Sequence, residues 1–384
     1  MKENNSHIIE KYTYYGKKYT YYLYWKDYSF AKKKRRDSMT KQLGIGSLCF
    51  SEAPFIVSTA SVVGTKEGEG PLGKLFDVIG EDDNFGQETW EEAESSLQKE
   101  AVTLTLGKAH KRPEDVRYLF AGDLLGQTIA SSFGLKNFEI PMFGLYGACS
   151  TCGESLSLAS MTVAAGCADM TLAVTSSHFA SAEKQFRFPL EYANQRPLSA
   201  TWTVTGGAAF LLSTREKAAS IGKPLARITG ITTGKIVDYG IKDSMNMGAA
   251  MAPAACDLIV RHLQDFNRQP EDYDRIVTGD LGIVGQEILI KLVKEKGYDI
   301  SHVHEDCGIK IYNGETQGTG AGGSGCGCAA VTLSAHYLKE ISEGTFKRLL
   351  FVPTGALMSP TSFNEGQSVP GIAHGVVIES VENV

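Results

Sequence analysis

One short pattern occurs twice in this chain, and it constrains the fold more than any other feature. Pro113-Glu114-Asp115 is followed by Leu119-Phe120-Ala121-Gly122-Asp123-Leu124, and Pro270-Glu271-Asp272 by Ile276-Val277-Thr278-Gly279-Asp280-Leu281. Six residues are identical at identical offsets, 157 positions apart. Each copy reads as a helix end, a turn, a short buried strand and a loop that opens Gly-Asp-Leu. The pattern continues downstream. Gly147-Ala148-Cys149-Ser150-Thr151-Cys152-Gly153 leads into a helix of small residues over 154–165, and Gly323-Ser324-Gly325-Cys326-Gly327-Cys328 leads into another over 329–338. Strands follow that end Thr175-Ser176-Ser177 and Thr354-Gly355-Ala356, and each copy closes on a further strand, 207–213 and 375–380. Alternating strands and helices argue for a sheet covered by helices. The duplication predicts an α/β fold of two similar halves, 39–222 and 223–384, parted near Lys223-Pro224, with a site between them.

The length agrees. A chain of 384 residues is too long for one simple core, and 42% apolar with 21% charged residues is a globular composition. No run reaches the roughly 20 apolar residues that span a bilayer, and the N-terminus has no apolar signal core. The eight cysteines are dispersed and sit beside small residues, which reads as reduced thiols rather than a disulfide framework. Residues 1–38 stand apart, with eight tyrosines and ten Lys/Arg against four Asp/Glu. They read as a basic arm for a membrane surface or as a flexible tail. The remaining residues carry −12 against −6 for the whole chain, which argues against nucleic acid as a partner.

The candidate site starts at Cys149 and Ser150, in a Gly-Ala-Cys-Ser turn at a helix N-terminus. Free N–H groups there stabilise a thiolate or a bound anion. A cysteine in that position is either a nucleophile or a small core residue. Cys149 and Cys152 also spell C-x-x-C, but no second pair completes a zinc site, and no segment forms an EF-hand loop. No metal or cofactor is expected. Residues 178–197 read as a long polar loop whose basic and aromatic residues suit a planar anion, or else a surface contact. Arg187, Arg196 and Lys235 are the cations suited to a carboxylate. His178 and His374 are the histidines in candidate segments, either proton donors or structural side chains.

The GACS turn, the duplicated halves and the Gly-rich closing segments resemble the thiolase superfamily. The strings GPLGKLFD, FGLYGACST, TSSHFASAEKQFRFPLEY, MGAAMAPAA, TGDLGIVG, AGGSGCGCAAV and IAHGVV resemble a branch of that superfamily made of sporulation proteins of endospore-forming bacteria. The resemblance runs from about residue 44 to the C-terminus. It implies the thiolase-like fold, two βαβαβαββ halves in a five-layered αβαβα arrangement, usually as a homodimer. It further implies binding of dipicolinic acid or its calcium chelate within a multi-protein assembly at the spore inner membrane. The chain would be made in the forespore cytoplasm and attached there peripherally. Condensing enzymes of the superfamily pair the cysteine with a His and an Asn from the second half. At those positions this chain reads Thr278-Gly279-Asp280 and Gly323-Ser324-Gly325. Losing such donors costs factors of about 100–1,000 each. The resemblance therefore implies a binding protein, with Asp280 and Ser324 in the ligand site and Cys149 a degenerate nucleophile. The alternatives are a thioester-using acyltransferase with an unorthodox base, or a scaffold subunit with an empty pocket.

Overall fold

The computed structural model describes residues 9–14, 17–22, 40–186, 190–192 and 195–381. The chain divides into two compact units, Met1–Ser38 and Met39–Val384. In the first, the strands Ile9–Tyr14 and Lys17–Tyr22 pair antiparallel as a hairpin.

The second unit contains the duplicated pattern. Its first half runs β1 (Phe55–Val63), α1 (Trp90–Lys108), β2 (Tyr118–Gly122), α2 (Ile129–Leu135), β3 (Met142–Leu145), α3 (Thr151–Ala164), β4 (Met170–Ser177) and β5 (Gly206–Ser213). Its second half runs β6 (Ala226–Thr233), α4 (Met247–Phe266), β7 (Arg275–Thr278), α5 (Gly282–Glu295), β8 (His304–Asp306), α6 (Cys326–Thr332), β9 (Arg348–Val352) and β10 (Gly371–Glu379). Hydrogen-bonded strands follow the order β8-β7-β9-β10-β6-β1-β5-β4-β2-β3. Read outward from the β6–β1 junction, the two halves have the same order and the same pattern. The three outer strands are parallel, and the two nearer the junction run antiparallel.

Helices cover both faces, so the inner strands are buried throughout. Every residue of β1, β4 and β5 is buried, and their Val, Ala, Leu and Ile runs do not alternate with polar positions. Three apolar clusters fill the spaces between layers. One lies under α1, one under α4 and α5, and the largest surrounds α3 and α6 in the middle. This gives five layers, αβαβα. The composition of α3 suits its central place. Its serines satisfy themselves on the preceding turn, Ser157 Oγ donating to Gly153 O and Ser160 Oγ to Leu156 O, so they enter an apolar layer without orphaned hydroxyls. At Gly153 a Cβ would fall 2.8 Å from His374 O, so only glycine lets β10 approach this closely.

The structure differs from the sequence reading in three segments. Residues 178–197 include a helix, Phe179–Phe186, on which Ala180, Ser181, Ala182 and Glu183 are buried. Its small residues pack inward, and its buried polar ones find partners, Ser181 Oγ on Glu94 Oε2 and Thr203 Oγ1 on Glu183 Oε1. The helices after the two cysteine turns begin at Thr151 and Cys326 rather than at Glu154 and Ala329, and the second passes through a π turn over Leu333–Tyr337.

Candidate functional site

Cys149 stands at the head of α3, in a turn closed by its own side chains. Ser150 Oγ donates to Gly147 O (2.7 Å) and Thr151 Oγ1 to Ala148 O (2.6 Å), while Gly147 N donates to Thr151 Oγ1 (3.0 Å). Ala148 has φ of 50°, a left-handed conformation that non-glycine residues adopt at a cost. A third element braces the turn: a Cβ on Gly355 would lie 2.2 Å from Gly147 O. The Cys149 turn is thus fixed by contacts from both halves.

The thiol faces a narrow cavity of about 30 Å³, room for about one water. Leu124, Tyr146, Ser324, Met247 and Met358 line it with Cys149. On its other sides Cys149 packs against Leu124, Ala182 and Cys326, and the Cys326 thiol donates to Ser176 O (2.9 Å). The two cysteine turns of the repeat therefore meet at one centre.

The electrostatics of the site follow from burial. Cys149 is buried, and burial pushes its thiol well above the ordinary range; the neighbouring Asp280 carboxyl pushes in the same direction, opposed by the N–H of Gly325. Asp280 is also fully buried, and burial lifts it to about 7 against hydrogen bonds from Thr354 and Cys149. Thr354 Oγ1 donates to Asp280 Oδ1 at 2.6 Å. Asp280 Oδ2 is buried without a hydrogen bond, and the Cys149 thiol is a neighbour of this carboxyl. Both segments that bear the His and Asn in condensing enzymes reach Cys149 here, but they bring a carboxyl and a backbone amide. No described histidine lines the cavity. The arrangement holds a neutral thiol at the positive end of the α3 dipole, with the Gly325 N–H on its sulfur. Among the described residues, no imidazole lines the cavity to take a proton and no amide side chain lines it to hold an enolate.

Of the residues singled out in the sequence, Cys149, Ser150, Asp280 and Ser324 come together here. The others lie elsewhere. His178 is buried with Nε2 on Asp83 O (2.7 Å) and its ring 5.5 Å from that of Trp90; burial lowers its pKa. His374 packs behind α3 beside Gly153, and burial lowers it to about 4. Arg196 is ion-paired with Glu183 and donates to Thr201 O. Lys235 pairs with Asp257 (2.8 Å) in a separate cleft of about 590 Å³ along α4, which it shares with Arg261 and Lys296. Arg187 lies outside the described residues. The sequence reading did not include Thr354, the Gly325 amide, Tyr146, Met247 or Met358. Thr354 carried a signal, because Thr354-Gly355-Ala356 occupies the place of Thr175-Ser176-Ser177 in the repeat. Met247 and Met358 carried none.

Two matched halves around a cysteine at the head of a buried central helix define a thiolase-like protein. The solved structures agree on the fold. Human mitochondrial 3-ketoacyl-CoA thiolase aligns with a TM-score of 0.52 at 14% identity, over 86% of this chain and 99% of that one. The tetronic acid condensing enzyme AbyA1 aligns with a TM-score of 0.52 at 14% identity, over 85% of this chain and 100% of that one. Within this fold the chain belongs to the stage V sporulation protein AD (SpoVAD) family, whose family model matches residues 44–379. Stage V sporulation protein AD of Bacillus subtilis (strain 168) is 43% identical over 339 residues, 88% of this chain and 98% of that protein.

Proposed function

We propose that this sporulation-family protein binds dipicolinic acid, free or as its calcium chelate, without chemical turnover, and serves its uptake into the developing spore. The observation that carries this reading is the pairing of Cys149 with Asp280 and the Gly325 amide, where condensing enzymes place His and Asn. A buried neutral thiol is a poor nucleophile, whereas the positive end of the α3 dipole favours a carboxylate. The ligand is several times larger than the water-sized cavity, so binding requires its walls to part. Tyr146, at 45% exposure, and the flexible Met247 and Met358 are the side chains placed to do so.

Calorimetry with dipicolinate, with and without calcium, tests this. Binding is expected in the wild type, lost in Cys149→Trp, which fills the slot, and weakened much less in Cys149→Ala. Acetyl-CoA should leave Cys149 unmodified. Steady consumption of acetyl-CoA that disappears in Cys149→Ala would establish an acyltransferase instead, and absence of binding would leave a scaffold.

The same reading places the protein at the spore inner membrane as a peripheral, homodimeric subunit beside membrane proteins of one transport assembly. None of the described helices is long and apolar enough to cross a membrane. The dimer reading is supported by β3, an outermost strand whose free side exposes Met142 and Phe143, with Phe133 and Tyr146 also exposed. An open apolar edge of this kind invites a second copy.

A further inference from the structure

The Asp280 carboxyl has one committed and one open oxygen. Thr354 Oγ1 holds Oδ1 at 2.6 Å, while Oδ2 is buried without a hydrogen bond, and the Cys149 thiol neighbours the carboxyl. The sulfur meanwhile receives the N–H of Gly325 and faces the cavity. The titratable groups packed around Asp280 are Cys149 at the head of α3, Asp306 at the end of β8, Cys307 beside it, and Cys326 and Cys328 on α6. Asp306 differs from Asp280 in being fully engaged. Its oxygens accept from Thr278 Oγ1, Leu281 N, Gly282 N and Ile309 N. Asp280 is therefore the carboxyl free to exchange a proton with consequences for the cavity.

We infer that Asp280 is a positioning residue that sets the direction of the Cys149 S–H bond, and thereby couples anion binding in this cavity to the uptake of one proton. The inference rests on the dicarboxylate reading above. When Asp280 is ionised, the thiol donates to Oδ2, and the sulfur turns its lone pairs to the cavity with a negative charge behind them. An incoming carboxylate is repelled. When Asp280 is protonated, its O–H donates to the sulfur, and the S–H is released to donate to a ligand oxygen. The balance is one proton from solvent to Asp280 per anion bound, and no covalent bond to sulfur or carbon forms. Burial lifts Asp280 to about 7, so the exchange falls in the neutral range. The Asp306 carboxyl, itself raised by burial, favours the protonated form of Asp280 when it is ionised.

The test is calorimetry of the full chain with dipicolinate from about pH 6 to about pH 8.5, in two buffers of different ionisation enthalpy. Above neutrality the wild-type affinity should fall about tenfold per pH unit, with proton uptake approaching one per ligand. Asp280→Asn donates permanently to the sulfur, so it should bind with little pH dependence. Cys149→Ala should keep only the part of the slope that comes from the Asp280 charge itself, because the thiol transmits the rest. Thr354→Val removes a hydrogen bond that favours the ionised form, so the decline should move to higher pH; this variant serves if Asp280→Asn does not fold. Wild-type binding without proton uptake, or an unchanged slope in Cys149→Ala, overturns the relay while leaving the functional reading intact. Absence of dipicolinate binding at every pH, in the wild type and in Asp280→Asn, overturns both.

Discussion

Arg196 and Glu183 form an ion pair at 3.3 Å with side chains 5% and 1% exposed. The guanidinium also lies 5.0 Å from the ring of Trp202 and 5.4 Å from that of Phe179, two rings stacked at 4.0 Å. Glu183 Oε1 further accepts from Thr203 Oγ1, and Thr203 lines the Cys149 cavity. The pair therefore ties the segment after residue 195 to the helix Phe179–Phe186 and to the cavity wall. Removing one partner leaves the other charge buried, so Glu183→Ala should lower stability by about 3–5 kcal/mol in urea denaturation. Replacing both by Leu and Met should recover much of that loss. Equal losses in the single and double variants would contradict the assignment.

A second buried acid sets a pH dependence. Glu94 is buried beside Asp123 and accepts from Ser176 Oγ and Ser181 Oγ; burial, then the Asp123 charge, lift it to about 8. Its folded pKa lies above its unfolded value of 4.5. The folded state therefore holds a proton that the unfolded chain has released, and this contribution is lost as pH rises through about 8. The histidines act in the opposite sense. His262 is lowered to about 3, and His304 and His374 to about 4, each mainly by burial. Their contribution is complete above 6.5 and is lost as pH falls below it. Between about pH 7.5, where the unfolded histidines are nearly all neutral, and about pH 8 the raised acids dominate, so the stability read from urea denaturation should fall, with a slope of at most about 1.4 kcal/mol per pH unit for each group. Glu94→Gln should flatten that fall.

Thiol labelling separates the cysteines by burial. Cys167 is exposed and Cys49 half-buried, while Cys149, Cys152, Cys256, Cys307, Cys326 and Cys328 are buried. Iodoacetamide on the native protein should modify Cys167 first and Cys49 next, and the other six only after denaturation, as read by peptide mass spectrometry. Rapid modification of Cys149 in the native state would contradict a thiol held neutral.

The proposed dimer edge has a direct test. Phe143 is 53% exposed on β3 and stacks on Phe120 at 5.2 Å. Phe143→Glu places a charge on the free edge with little cost to the core. Sedimentation should show a dimer for the wild type and a monomer for the variant. A monomeric wild type would remove the dimer from the functional reading.

The charged residues show most clearly where the sequence stopped being legible. Arg196 and Lys235 were both sound choices for a carboxylate partner by residue type. One is committed to Glu183 and the other to Asp257, 13 and 22 positions away. A charge is visible in a sequence, but its partner is not, because pairing depends on which elements pack together. The helix Phe179–Phe186 was hidden for a similar reason. Its polar residues suggested a loop, and only their buried partners across the fold make a helix there favourable.

What the sequence determined by itself was local and repeated. The two Pro-Glu-Asp and Gly-Asp-Leu segments, and the small-residue turns at Cys149 and Cys326, dictate strand, turn and helix through steric and hydrogen-bonding rules that act over a few residues. The halves, the buried strands and the cysteine at a helix head follow from them. What the tertiary structure decided was the company Cys149 keeps. β7 and β9 are parallel neighbours, with Thr278 in register with Val352. Asp280 and Thr354 each lie two residues beyond those strand ends, so the sheet brings them together across 74 positions. The head of α6 then brings the Gly325 amide onto the same sulfur. Sheet order sets these distances, and burial behind the sheet sets the proton affinities of Asp280 and Cys149. Neither is a property of any short stretch of chain.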